Sequence, residues 1–207
     1  MLGSRLTGRY GKGDWRRFMT KLPWAKINTQ KWNLQMSNST PQHGHIEGSI
    51  RTNGDNKGTV RMESLYVTEA ADLWSALTEP VRLARWIAEV KGDLRVGGAF
   101  TAHFTSGWEG VGRVDTCEPP RRLTVTMSPG TNDETIIDAV LTGEKMGTRL
   151  VIEERGIPMP EIAKHGAGWQ AHIEDLALHL GGQAALDWRS RWIELTPSYE
   201  QLTGALS

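Results

Sequence analysis

Gly-Trp-Gln-Ala-His-Ile-Glu-Asp-Leu-Ala-Leu-His-Leu-Gly-Gly, residues 168–182, is the stretch on which the fold turns. With Trp169 set at zero and 100° per residue, Ile173 falls at about +40°, Leu176 at about −20° and Leu180 at about +20°. A narrow apolar stripe therefore runs along a helix predicted over residues 160–180, backed by Ala171, Glu174 and Leu178. Gly181-Gly182 stops it. His165, His172 and His179 recur every seven residues along one flank of that stripe. Seven helical residues rise about 10.5 Å, too far for two imidazoles to share an ion at roughly 2 Å. The row is not a metal site.

Upstream, Gly97-Gly98, Pro119-Pro120, Pro129-Gly130 and Met146-Gly147 punctuate a series of strand candidates. They run over 88–95, 99–106, 108–117, 121–128, 134–143 and 147–155, at the spacing of an antiparallel meander. Phe100, Ala102 and Phe104 alternate with Thr101, His103 and Thr105, giving one apolar face and one wet face. Leu150, Ile152 and Glu154 share a face, so Glu154 is the odd polar member of an inward row. Before the meander, 59–67 reads as a strand. Thr68 then caps a short helix carrying Ala70, Leu73, Trp74 and Leu77 on one face. Pro80 opens a second short helix with Leu83, Trp86 and Ile87 as its stripe. A curved antiparallel sheet of about six to seven strands needs a cover, and only the long helix is large enough. The expected fold is α+β, over residues 58–182.

The 207 residues are 38% hydrophobic and 23% charged, the balance of a soluble globular protein. No apolar run approaches the roughly 20 residues of a membrane-spanning helix. The N-terminal stretch holds no compact apolar run followed by a small-residue cleavage site, so secretion is not expected, and the single cysteine, Cys117, excludes an internal disulfide and cysteine zinc clusters. The cytoplasm is the expected compartment. Residues 1–35 carry eight Lys/Arg and only Asp14, a net +7, so the other 172 residues sum to −7. A body of that sign repels phosphate backbones, and nucleic-acid binding is not expected of it. Residues 1–57 read as a leader, first basic, then polar and rich in Gly and Asn; the first part is either disordered or an over-extended start before Met36. A basic binding arm and a transit peptide are its alternatives. The tail, 183–207, carries Trp188, Trp192 and Leu195 at i, i+4, i+7, and Pro197 is expected to end that helix. This amphipathic extension is a candidate surface for a protein partner or a homodimer.

Val-Thr-Glu-Ala-Ala-Asp-Leu-Trp-Ser-Ala-Leu-Thr-Glu-Pro (67–80) with Leu-Ala-Arg-Trp-Ile (83–87) resembles the opening of the START-like, or SRPBCC, superfamily. The branch it resembles is that of the activators of the heat shock protein 90 ATPase. Gly-Asp-Leu-Arg-Val-Gly-Gly-Ala-Phe (92–100), Gly-Arg-Val-Asp-Thr-Cys-Glu-Pro-Pro-Arg-Arg-Leu (112–123), Gly-Thr-Arg-Leu-Val-Ile-Glu-Glu-Arg-Gly (147–156) and the helix at 168–182 continue the likeness in order. The resemblance implies a helix-grip fold, in which the long helix lies in the grip of the sheet over a cavity. Members bind lipids, sterols, polyketides or plant hormones; some are cyclases or dehydratases, and others are co-chaperones. They share no catalytic residue set, and fold alone does not give function. A second domain like the N-terminal half of the eukaryotic activators is not expected, since residues 1–57 are too polar to form one.

Chemistry-bearing motifs are few. Cys117 ends a strand with no histidine or helix N-terminus placed to activate it. There is no Gly-x-Ser-x-Gly elbow, and Gly110-Val-Gly112 opens no helix on which a phosphate could sit. No catalytic residue, metal or cofactor is assigned. The expected ligand-binding set is Trp74, Trp86, Phe100, Phe104, Trp108, Glu154, Trp169, His172, Ile173 and Leu176, a mostly apolar lining with two polar groups. Its alternative is a solid aromatic core. Glu154 either reaches the hollow or pairs with Arg155 or another base at the sheet's end. The function expected is non-catalytic binding of a small hydrophobic or amphipathic ligand. A cyclase using Glu154 and His172, and an interaction module of the co-chaperone kind, are the rivals.

Overall fold

A computed structural model describes residues 45–204. Eight strands and four helices follow one another: β1 (Glu47–Gly54), β2 (Lys57–Tyr66), α1 (Ala70–Thr78), α2 (Pro80–Leu83), β3 (Ala88–Gly92), β4 (Ala99–Phe104), β5 (Glu109–Glu118), β6 (Arg122–Met127), β7 (Thr135–Glu144), β8 (Gly147–Pro158), α3 (Ile162–Leu180) and α4 (Trp188–Gly204). The strands form one antiparallel sheet in the order β1-β2-β8-β7-β6-β5-β4-β3. The chain leaves β2 beside β8, crosses through α1 and α2 to the far edge, and meanders back. Bulges between Gly58 and Thr59 and between Val114 and Thr116 bend the sheet.

Alternation fixes the faces. Thr148, Leu150, Ile152 and Glu154 of β8 are buried, as are Phe100 and Ala102 of β4, while Thr101 and His103 face water. Gly112 of β5 stands opposite Phe100, and a Cβ there would collide with the Phe100 ring. The glycine makes room for an aromatic laid across the neighbouring strand. Helix α3 is buried along Ile162, Trp169, Ile173 and Leu176, and the Tyr66 hydroxyl of β2 donates to its Ile173 carbonyl at 3.2 Å. The helix grip is present, with one strand more than expected.

That strand is β1. Residues 47–54, expected as part of the polar leader, pair with β2 from Glu47↔Glu63 to Gly54↔Lys57. Their side chains are exposed except for half-buried Ile50, so no apolar alternation marks them. The remainder of the expected leader, residues 1–44, lies outside the described residues. Thr68 does not cap α1: Glu69 holds the N-cap position without a side-chain bond, and Thr68 donates to Asp72 at 2.7 Å. Nor does Pro197 end α4, which continues to Gly204 because Leu195 and Tyr199, buried on either side of it, carry the helix past. The Thr196 hydroxyl donates to the Trp192 carbonyl at 2.7 Å within that turn.

The stripe of the tail packs against α3, with Leu195 buried and Trp188 and Trp192 half-buried. Tyr199 seats its ring against Gly166 of α3 and donates to Gln170 at 2.9 Å. Gly168 lies under Trp188 and Trp192. The Trp192 indole donates to the Lys164 carbonyl at 3.0 Å, and Arg191 grips Glu174 through Nε at 2.6 Å and Nη2 at 2.8 Å. Among the described residues no helix is long and apolar enough to cross a membrane.

Candidate functional site

The three histidines of α3 stand in three different environments, because a two-turn spacing along the helix carries each past a different element. His165 meets β8, His172 meets the turn before β3, and His179 meets α2.

His172 is the centre of an aromatic cluster. Its ring centroid lies 5.2 Å from Trp188 at 31°, 6.3 Å from Trp169 at 73° and 6.4 Å from Phe104 at 54°. Phe104 in turn meets Trp108 edge-on at 5.3 Å, and Trp108 is 46% exposed, so the cluster runs from the buried helix face to solvent. Nδ1 of His172 approaches the Trp86 carbonyl at 3.3 Å. A carbonyl only accepts, so the proton sits on Nδ1 and Nε2 is left as an acceptor. Burial pushes the imidazole down to about 4, outweighing that carbonyl, so the ring is neutral at physiological pH. Above it, the indole N–H of Trp188 is buried with no acceptor among the described residues.

Glu154 lies on the other side of Trp169. Its Oε2 accepts from Trp169 Nε1 at 2.7 Å and from His165 Nδ1 at 2.9 Å, and its Oε1 accepts from the Thr135 hydroxyl at 2.9 Å. Burial drives the carboxyl up, but the His165 bond and charge, with the Trp169 and Thr135 donors, outweigh it and hold it below the carboxylate range. His165 responds in the opposite sense: burial opposes its charge, and the Glu154 carboxylate overrides it and raises the imidazole. Its side chain is 38% exposed, so this carboxylate-bound histidine reaches solvent.

The expected lining therefore divides. Phe104, Trp108, Trp169 and His172 come together. Trp86, Ile173 and Leu176 have 1%, 1% and 0% of their surface accessible, so they border no space that water can enter; they are solid core. The Trp86 indole is occupied with the Ala76 carbonyl at 3.0 Å. Phe100 is packed over Gly112, and half-buried Trp74 packs against the core from α1. Both Glu154 oxygens already accept from protein donors, and its ionic partner is His165; Arg155 turns instead to Glu153 and Asp138. Cys117 is half-buried and unpaired.

Three residues of the site escaped the sequence reading. His165 sits four residues before Trp169, on the same helix face, and that spacing was the available signal. Thr135 follows from register: Ile137 pairs with Glu154, which puts Thr135 on the same sheet face. Trp188 had no local signal, because its place depends on how α4 docks.

The model of the family described as activator of Hsp90 ATPase homolog 1-like protein matches residues 67–181, more than half of the chain. The chain belongs to the activator of Hsp90 ATPase homolog 1-like family. Within this family's START-like superfamily, the crystal structure of CalU16 from Micromonospora echinospora is 27% identical with a TM-score of 0.65, covering 77% of this chain and 99% of CalU16. DynU16, a protein of the dynemicin biosynthetic locus, is 28% identical with a TM-score of 0.57, covering 61% of this chain and 49% of DynU16. EF2215 from Enterococcus faecalis, 20% identical with a TM-score of 0.62 and covering 78% of this chain and 92% of its own, shares the fold. No curated protein matches the chain. The family segment ends at Gly181, so α4 and its Trp188 lie beyond it.

Proposed function

We propose that this protein is a cytoplasmic binding protein for a small hydrophobic or amphipathic ligand, held without reaction against the aromatic cluster around His172. The observation that carries the reading is the neutral, buried imidazole set among Phe104, Trp169 and Trp188, with Nδ1 committed to the Trp86 carbonyl. An apolar surface with one oriented acceptor suits a ligand bearing a hydroxyl on a flat or aliphatic body. The unpaired Trp188 N–H adds a donor that a ligand oxygen would satisfy. DynU16's place in a biosynthetic locus supports a small-molecule role. Glu154 serves the site by holding Trp169.

Native mass spectrometry of the purified chain, before and after denaturation, tests this. A co-purified hydrophobe, released chemically unchanged, is the expected result. Phe104→Ala weakens its retention through lost packing, and His172→Ala weakens it by about 1–3 kcal/mol, the range for a buried polar contact. A chain that retains no hydrophobe overturns the proposal and leaves the co-chaperone-type interaction module.

One observation favours a second reading. The carboxylate on His165 Nδ1 leaves Nε2 available on a side chain that is 38% exposed, the arrangement of a general base. Conversion of the bound ligand that disappears in His165→Ala would establish a cyclase-like enzyme in place of a binding protein.

A further inference from the structure

The third histidine of α3 borders a cleft that the aromatic site does not use. The cleft has a volume of about 270 Å³ and is lined by Arg85, His179, Gly182, Gln183, Ala184 and Ala185. No carboxylate lines it. Arg82, which also meets His179, is turned toward α1: Nη1 donates to the Asp72 carboxylate at 2.8 Å, the Asp72 carbonyl at 3.0 Å and the Ser75 hydroxyl at 2.9 Å. Its Nε donates to His179 Nε2 at 3.3 Å. A guanidinium only donates, so His179 Nε2 is the acceptor and the ring proton sits on Nδ1. Arg85 is exposed and makes neither an ion pair nor a side-chain hydrogen bond among the described residues.

The walls are fixed in advance. The Leu186 N–H donates to the Asp175 carboxylate at 2.9 Å, pinning the connector between α3 and α4. Gly182 turns the chain at φ +69, a conformation glycine adopts without strain. The helix end that faces the cleft is also muted: Gly181, Gly182 and Gln183 donate their N–H groups to the carbonyls of Ala177, His179 and Leu178 at 3.0, 3.0 and 2.8 Å. Those carbonyls would otherwise present the negative pole of the helix.

We infer that this cleft binds a small oxyanion, the carboxylate or phosphate group of a ligand, through the Arg85 guanidinium and the Nδ1–H of His179. A guanidinium with no partner, in a cleft without competing carboxylates, forms charge-assisted bonds to such a group. Burial, then Arg82 and Arg85, hold the His179 imidazole below its ordinary value against the smaller upward pull of the Asp72 carboxylate; a bound anion opposes the two guanidinium charges and raises it.

NMR titration of the full chain with inorganic phosphate, and separately with butyrate, at ionic strength held by chloride, tests the inference. The expected result is saturable shifts in the amides of 182–185, together with a rise in the His179 titration midpoint. Arg85→Gln, which disturbs no packing, should weaken the apparent Kd at least about tenfold, the loss of one charged contact. Saturation by phosphate alone identifies a phosphoryl group, by butyrate alone a carboxylate, and by both a general oxyanion cradle. Shifts that stay linear, that chloride reproduces, or that persist unchanged in Arg85→Gln overturn it. The titration uses no hydrophobic ligand, so its failure leaves the aromatic site unaffected.

Discussion

At Glu154 the sheet carries a carboxylate into its apolar face, a position that costs several kcal/mol unless both oxygens find donors. Thr135, His165 and Trp169 supply them. The alternation of β8 made Glu154 legible as the odd inward residue; its partners were not legible, because they come from β7 and α3 and meet only in the folded chain. The pair has a pH signature. Glu154 sits below its ordinary value of 4.5, so its contribution is present above that pH and is lost as pH falls through the folded value. His165 sits above its ordinary 6.5, so its contribution is present below that pH and is lost as pH rises through the folded value. Both act together between 4.5 and 6.5. His165→Ala is therefore expected to lower the melting temperature most in that window, with the gap to the wild type narrowing on either side. Neighbouring Glu161 and Lys164 act on His165 in opposite senses, raising and lowering it. Melts of both proteins from about pH 3 to about pH 9 check this; a gap constant with pH would remove the ion pair from the account.

At the level of elements, the meander and the grip helix were readable because each announces itself locally. Glycine and proline pairs cut the strands, and one stripe at the helical period marks α3. The edge strand β1 and the continuation of α4 were hidden for the same reason: what holds them is a neighbour. β1 has no apolar alternation, with only Ile50 half-buried among exposed neighbours, and α4 runs through a proline because Leu195 and Tyr199 are already docked. The α3–α4 contact makes a prediction in which two like substitutions differ in sign. Glycine inside a helix costs about 0.5–1 kcal/mol relative to alanine. At Gly168 an added Cβ meets Trp188 at 3.4 Å, an ordinary contact, so Gly168→Ala should be neutral to stabilising by up to that amount. At Gly166 the same Cβ would fall within 3.0 Å of the Tyr199 ring, which is clamped between α3 and β1. Gly166→Ala should destabilise by about 1–3 kcal/mol. Denaturant melts of the two variants decide it; a gain at both sites would mean that α4 does not press on α3.

For the whole molecule, the family segment from 67 to 181 is only the middle of the folded unit. β1 and β2 precede it and α4 follows it, and these additions meet: Gly48 of β1 lies against the Tyr199 hydroxyl, which also approaches the Met62 sulfur of β2 at 3.7 Å. The two ends of the fold thus brace each other across α3. Residues 1–44 are predicted to be dispensable for stability, whereas β1 is not. Removing residues up to 56 strips Ile46 and Ile50 from the core margin, takes away the Gly48 surface under Tyr199, and leaves β2 as a bare edge. Two half-buried isoleucines correspond to about 2 kcal/mol. For a domain of this size that is roughly 4–8 °C in Tm. A chain starting at His45 should melt with the full-length protein, and one starting at Lys57 should melt several degrees lower and aggregate more readily through the exposed edge. Calorimetry on the three chains separates the cases. Equal melting of all three would make β1 an ornament on the edge. A loss already present in the chain starting at His45 would give the basic N-terminal stretch a part in the folded unit, and its charge of +7 against a body of −7 would then be the first interaction to test by salt.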